Sequence, residues 1–232
     1  MGNLKKIFII HGWTYTLEAW EPCLSEFRAK GYDPVMLRVP GLSAESKKVW
    51  TLPDYVSWLQ NALQNEQDVI LLGHSNGGRI AISALAKNPN LFSKLILMDS
   101  AGIVHNEFHL RAKRAVFGSF ARFGKSLTNS AFIRKIYYKI IGAKDYGRAP
   151  ENMRETMKNL ISLDLTPELS KISIPTLIIW GKQDDVTPLS DAYKMYEAIK
   201  NSKIIVIEGA KHSPHITNPK IVAEEVAKWA TS

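Results

Sequence analysis

Short, almost unbroken apolar runs recur along the chain, at Lys6–Ile10, Pro34–Val39, Asp68–Leu72, Lys94–Asp99, Thr176–Trp180 and Lys203–Glu208. None alternates apolar with polar positions, which is the pattern of parallel strands covered on both faces. Amphipathic stretches of helical period separate them, at Thr16–Ala29, Leu52–Asn65, Gly77–Lys87, Leu189–Lys200 and Pro219–Ala230. Pro188 stands just before one of these and Asn88-Pro89 closes another, as start and stop signals do. Alternation of strand and helix predicts an α/β fold, an open and mostly parallel sheet of about six strands with helices on both faces. The rhythm breaks once. From Ile103 to about Ser170 only helical patterning appears, with Phe132, Ile133, Ile136, Tyr137, Ile140 and Ile141 on one face and Arg134, Lys135 and Lys139 on the other. A structureless loop of that length does not suit a compact domain. The expectation is a core formed by residues 1–102 and 171–232, with a helical cap, residues 103–170, inserted after the fourth strand.

Composition narrows the class. With 232 residues, 45% of them hydrophobic and 22% charged, the chain is globular rather than disordered, collagen-like or coiled-coil. Ahead of His11-Gly12 stand only four consecutive apolar residues, Ile7 to Ile10. A secretory core needs about 7–15 and a membrane span about 20. One cysteine, Cys23, permits neither an intrachain disulfide nor a thiolate cluster. A soluble cytoplasmic protein, monomer or homodimer, without a transmembrane segment is expected. The net charge of +8 is concentrated, because residues 103–165 hold twelve basic and five acidic side chains, or +7. Without an aromatic-interleaved basic groove this does not point to nucleic acid.

Chemistry enters at Val69-Ile70-Leu71-Leu72-Gly73-His74-Ser75-Asn76-Gly77-Gly78-Arg79-Ile80, a strand, a tight turn and a helix with G-x-S-x-G in the turn. A serine on so sharp a bend needs small flanking residues, and the following helix aims its N-terminal N–H groups at developing negative charge. Three further segments end strands with polar groups. His11-Gly12-Trp13 follows the first strand, Asp184-Asp185 the fifth, and His212 the sixth.

The chain resembles the α/β-hydrolase superfamily over essentially its full length. Ser75-Asn76-Gly77-Gly78-Arg79, Asp99-Ser100-Ala101-Gly102-Ile103, Asp145-Tyr146 and Trp180-Gly181-x-x-Asp184 are closest to its small cap-bearing serine hydrolases. The resemblance implies strand order 2-1-3-4-5-6, with the N-terminal edge hairpin of the family absent. It implies the chain order Ser, Asp, His, hence Ser75 as nucleophile, Asp184 as acid and His212 as base. The backbone N–H groups of Trp13 and Asn76 would form the oxyanion hole. Asp185 and Asp99 are rival acids and His215 a rival base; the family spacing favours Asp184 and His212. His11, Gly12 and His74 are expected at the substrate site, with Arg134, Lys135 and Lys139 reaching it from the cap. His105 and His109 lack a carboxylate at helical spacing and read as ordinary cap residues, so neither metal nor organic cofactor is called for.

The implied activity is hydrolysis of a carboxylic ester or thioester through an acyl-enzyme, with anionic or carrier-bound acyl substrates as the preferred class. An acidic carrier protein or an anionic lipid surface would be the matching partner. Carbon–carbon bond hydrolysis, lipid hydrolysis, perhydrolysis, or a ligand receptor that retains the triad are the competing readings, since fold does not choose among them.

The charge asymmetry generates a kinetic prediction. For an anionic ester, kcat/KM falls several-fold as salt rises, because the Debye length shrinks from about 30 Å at 0.01 M to about 8 Å at 0.15 M. A neutral ester of equal acyl length barely responds. Replacing Arg134, Lys135 and Lys139 together by Gln flattens the anionic curve alone; equal slopes for both substrates would show the basic face to be only a solvated surface.

Overall fold

The computed structural model describes residues 4–104 and 149–231. Six strands, β1 (Lys5–Ile10), β2 (Tyr32–Leu37), β3 (Ile70–His74), β4 (Lys94–Met98), β5 (Thr176–Gly181) and β6 (Ser202–Ile207), form one sheet in the order β2-β1-β3-β4-β5-β6. Every pairing is parallel, in registers such as Ile10 with Gly73 and Met98 with Ile179. This is the order that the family resemblance implies. Around the sheet lie α1 (Glu21–Ala29), α2 (Leu52–Leu63), α3 (Asn76–Lys87), α4 (Glu151–Ile161), α5 (Thr166–Leu169), α6 (Leu189–Ala198), α7 (Pro214–Thr217) and α8 (Pro219–Ala230). Among the described residues no helix is long and apolar enough to cross a membrane.

Successive strand residues point to opposite faces, so the unbroken apolar runs feed two cores. Ile7, Ile9, Ile70, Leu72, Ile96 and Met98 pack with α1 and α8 through Phe27, Val222 and Val226. Phe8, Ile10, Leu71, Leu95, Leu97 and Ile178 pack on the other face with α2, α3 and α6. Lys94 at the start of β4 donates to the Ala230 carbonyl at 2.8 Å, neutralising the negative end of α8.

Three local expectations are corrected. The first helix does not run from Thr16. A 3-10 turn occupies Glu18–Trp20 and the α-helix starts at Glu21, because Pro22 fits only the first turn. β2 lies two residues earlier than Pro34–Val39. β2 and β6 are edge strands with exposed or half-buried positions, so their apolar runs overstate their burial. Pro34 was the one residue marking an edge, since it cannot donate to a second neighbour.

Arg134, Lys135, Lys139, His105 and His109 lie outside the described residues. The described end of the insertion, α4 and α5, buries Met153, Met157, Leu160, Leu165 and Leu169 in the same cluster as the sheet. Its base is tied by the Leu165 N–H to the Gly102 carbonyl at 2.8 Å. Arg79 of α3, buried with 4% exposure, donates to the Leu160 and Leu163 carbonyls at 2.7 and 2.8 Å. Burial draws that guanidinium down to about 10 against the pull of Asp164, and it stays charged. The helix that follows Ser75 therefore grips the returning end of the insertion directly.

Candidate active site

β3 ends at His74 and α3 begins at Asn76, leaving Ser75 alone between them at φ 52°, ψ −115°. A side-chain-bearing residue in such a region costs of order 1–3 kcal/mol and persists only where its surroundings over-determine it. Here the Ser75 N–H donates to the Met98 carbonyl at 3.1 Å, while its own carbonyl accepts from Gly78 at 3.1 Å and Ala101 at 2.9 Å. A Cβ on Gly77 would collide with the Ile10 carbonyl oxygen, so only glycine lets α3 start that close to β1. These constraints supply the physical content of the G-x-S-x-G spacing.

Two loops bring side chains to the serine. Asp184 follows β5 in a turn where its Oδ1 accepts from the N–H groups of Val186 at 2.8 Å and Thr187 at 3.0 Å. His212 follows β6. It sits close because Gly181 has no Cβ to strike the Lys211 carbonyl, and because His74 Nε2 meets the His212 carbonyl at 2.8 Å. His212 Nδ1 lies 2.8 Å from Asp184 Oδ2 and its Nε2 lies 3.0 Å from Ser75 Oγ. The carboxylate requires a proton on Nδ1, which leaves the Nε2 lone pair facing the serine hydroxyl. Burial alone would push the Asp184 carboxyl up. The hydrogen bond and charge of His212, with the Thr187 hydroxyl and Val186 N–H, hold it below the usual range instead. A chain of this kind can remove the Ser75 proton as its oxygen attacks a carbonyl.

The open cleft beside Ser75 measures about 120 Å³ and is lined by Gly12, Trp13, Trp20, His74, His212 and His215, among others. Neither the Trp13 nor the Asn76 backbone N–H donates a hydrogen bond among the described residues. His11 does not line the cleft. Its ring is buried beneath, with Nδ1–H donating to the Gly12 carbonyl at 2.7 Å and Nε2 accepting from Ser43 at 2.6 Å. His215 stacks on Trp20 at 3.9 Å between ring centroids instead of reaching Ser75. Asp185 is exposed, as is Lys211. Thr187, whose hydroxyl lies 2.7 Å from Asp184 Oδ2, and Trp20 escaped the sequence reading. An acceptor three residues before a threonine in a turn was the available signal for the first; the second is a long-range contact.

Nitrogen and oxygen atoms of His74, Asp99 and His212 converge within 4.8 Å, the one such cluster among the described residues. Both His212 nitrogens are already engaged by Asp184 and Ser75, and His74 Nε2 by a carbonyl. A metal would have to displace these histidine contacts to enter.

A six-stranded parallel sheet with a serine raised on the β3–α3 bend, beside the topological switch point between β1 and β3, defines an α/β hydrolase architecture. The family model described as "Alpha/beta hydrolase family" matches residues 7–225, and the chain belongs to that family. It is 25% identical to human monoacylglycerol lipase ABHD6 over 263 residues, covering 100% of this chain and 77% of that protein. It is 28% identical over 189 residues to the 2-hydroxy-6-oxo-6-(2'-aminophenyl)hexa-2,4-dienoic acid hydrolase of Metapseudomonas resinovorans, covering 76% of this chain and 63% of that one. Among solved structures, the bromoperoxidase from Bacillus anthracis superposes with a TM-score of 0.78 at 22% identity, covering 100% of this chain and 93% of that one, a likeness of fold alone.

The buried histidines make stability depend on pH. Burial, then the neighbouring His212 charge, draw His215 down from its ordinary value to about 3. Burial and the charges of His215 and His212 pull His74 well down too. Such a group binds its proton more readily in the unfolded chain. The His215 contribution to stability is therefore intact above about pH 6.5 and is lost as pH falls towards 3, at about 1.4 kcal/mol per pH unit, and His74 acts in the same direction. His215→Phe keeps the stack on Trp20 and removes one of these titrations. Urea unfolding between pH 6 and 4 should show a shallower decline for the variant by about that slope; parallel declines would mean His215 titrates alike in both states.

Proposed function

We propose that the protein is a serine hydrolase of carboxylic esters or thioesters. The observation that carries this reading is the unbroken chain Ser75 Oγ, His212 Nε2, His212 Nδ1, Asp184 Oδ2, with links of 3.0 and 2.8 Å, seated at the elbow. In this reading Ser75 Oγ attacks the substrate carbonyl carbon while His212 Nε2 takes its proton. The carbonyl oxygen becomes an anion held by the Trp13 and Asn76 N–H groups, and Asp184 stabilises the imidazolium without itself taking the proton. As the tetrahedral intermediate collapses, the C–O or C–S bond breaks and the proton on Nε2 passes to the leaving group. Water, deprotonated by His212, then releases the acid and restores Ser75.

The lipase relative supports ester cleavage. A second reading, hydrolysis of a carbon–carbon bond by the same residues, is supported by the hexadienoic acid hydrolase relative. The basic segment 103–165 supports anionic or carrier-bound acyl groups as the substrate class.

Ser75→Ala should abolish turnover of p-nitrophenyl esters and covalent labelling by a fluorophosphonate, with a loss on the order of 10⁶ in kcat. Asp184→Asn should cost about 10⁴ by favouring the wrong imidazole tautomer, whereas Asp185→Asn should stay within about tenfold of wild type. Stoichiometric labelling of Ser75→Ala, or a larger loss at Asp185, would overturn the assignment.

A further inference from the structure

Asp99, the residue after β4, carries a carboxyl that the chain described above does not use. It is fully buried at 0% exposure, and its backbone is held at φ 42° by its N–H bond to the Ile179 carbonyl at 3.0 Å. Its Oδ1 accepts the Gly181 N–H at 2.9 Å. Its Oδ2 is buried and finds no donor among the described residues. The next carboxyl is that of Asp184, whose Oδ2 lies 2.8 Å from His212 Nδ1, on the same ring that comes within 4.8 Å of an Asp99 oxygen, and the Thr187 hydroxyl bridges the two residues. The other ionisable groups facing it are His74 and His212, whose ring nitrogens lie within 4.8 Å of an Asp99 oxygen.

Two carboxylates placed this close and away from water cannot both ionise, so the pair holds one proton. The donors decide which oxygen carries it. Asp184 receives two backbone N–H groups, the His212 N–H and the Thr187 hydroxyl. Asp99 receives a single N–H, and burial first, then the Asp184 charge, push its carboxyl well above the usual range. A carboxylate at Asp99 would leave Oδ2 as a charged orphan; a carboxylic acid there becomes a donor with an anion beside it. The Thr187 hydroxyl has one proton for two acceptors, Asp184 Oδ2 at 2.7 Å and the Asp99 carbonyl at 3.1 Å. An O–H on Asp99 adds the missing donor.

Resting on the reading of Ser75, His212 and Asp184 as the triad, we propose that Asp99 is a neutral carboxylic acid whose O–H donates to Asp184, making it a positioning residue for the triad acid. It fixes the face Asp184 turns to His212 without placing a second negative charge beside the imidazole. The Gly181 N–H and the Asp184 carboxylate together ask for one acceptor and one donor on a planar group. Asparagine meets the same demand.

The test compares Asp99→Asn with Asp99→Leu. At neutral pH the infrared difference between wild type and Asp99→Asn should contain the C=O stretch of a protonated, deuterium-sensitive carboxylic acid. Asp99→Asn should lose no more than about threefold in kcat, and Asp99→Leu about 10- to 100-fold with KM unchanged, as for loss of a hydrogen bond to a charged group. The rising limb of kcat/KM should stay within about 0.3 pH unit in Asp99→Asn, since no charge near His212 has changed. A missing carboxylic-acid band, or a limb displaced to lower pH by about one unit, would show an ionised Asp99 and overturn the proposal. Full activity in Asp99→Leu would reduce Asp99 to a space-filler and overturn it equally. Should Asp99→Leu fail to fold, the band and the asparagine profile decide. If wild type itself hydrolyses no ester, the triad reading falls while the band still reports the proton.

Discussion

Ser75 occupies a backbone conformation it would not choose alone, and the packing of four strand ends around it is what holds it there. The Ile10 carbonyl of β1 presses against Gly77, and the Met98 carbonyl of β4 takes the Ser75 N–H. The Asp99 N–H in turn reaches the Ile179 carbonyl of β5. Each contact joins the elbow to a neighbour whose own position is set by the parallel registers. The strain, of order 1–3 kcal/mol, is offset by two cores around β3 and β5, which are buried throughout, and β1 and β4, which are buried apart from their leading lysines. Loosening either core would let the bend relax; Ile10, Leu72 and Met98, on the strands that meet at Ser75, are all fully buried.

The same convergence collects polar groups below the cleft. His11, His74, Asp99 and His215 are buried, and each is held in its neutral form, the three imidazoles lowered and the carboxyl raised, with burial the leading cause throughout. Neutrality lets them serve as fixed dipoles. His74 carries its proton on Nε2 to hold the His212 carbonyl, and His11 carries its proton on Nδ1 to hold Gly12. These are tautomers set by partners, and they steer the two loops that flank Ser75.

Much of this was legible before any coordinates. Period and continuity of apolar residues mark the six strands, the one interruption marks the insertion, and G-x-S-x-G marks the bend because its glycines are demanded by close approach. The chain order Ser, Asp, His left Asp185 and His215 open beside Asp184 and His212, and only the family spacing favoured the latter two. What stayed hidden was set by distance in sequence. The partial burial of β2 and β6 does not show in their own apolar runs, since Val35 and Ile205 read alike at an edge or a centre; only the strand order implied by the family resemblance sets them at the edges. The Trp20–His215 stack joins residues from opposite ends of the chain. Asp99 reads as one more strand-end acid until the sheet order puts β4 beside β5 and its carboxyl beside Asp184.

Four histidines are described, His11, His74, His212 and His215, and all crowd one corner, yet only one has the surroundings of a proton carrier. A histidine that shuttles a proton needs an anion to steady its charged form and an opening through which substrate is met. His215 has an aromatic face and no anion; His74 faces other imidazoles and a carbonyl; His11 spends both nitrogens on Gly12 and Ser43. His212 alone has the Asp184 carboxylate on one nitrogen and the serine on the other, with 14% of its side chain open to the cleft. On the proposed reading the fold separates roles by burial: water is withheld from the imidazoles held neutral, and admitted to the one that would carry the proton.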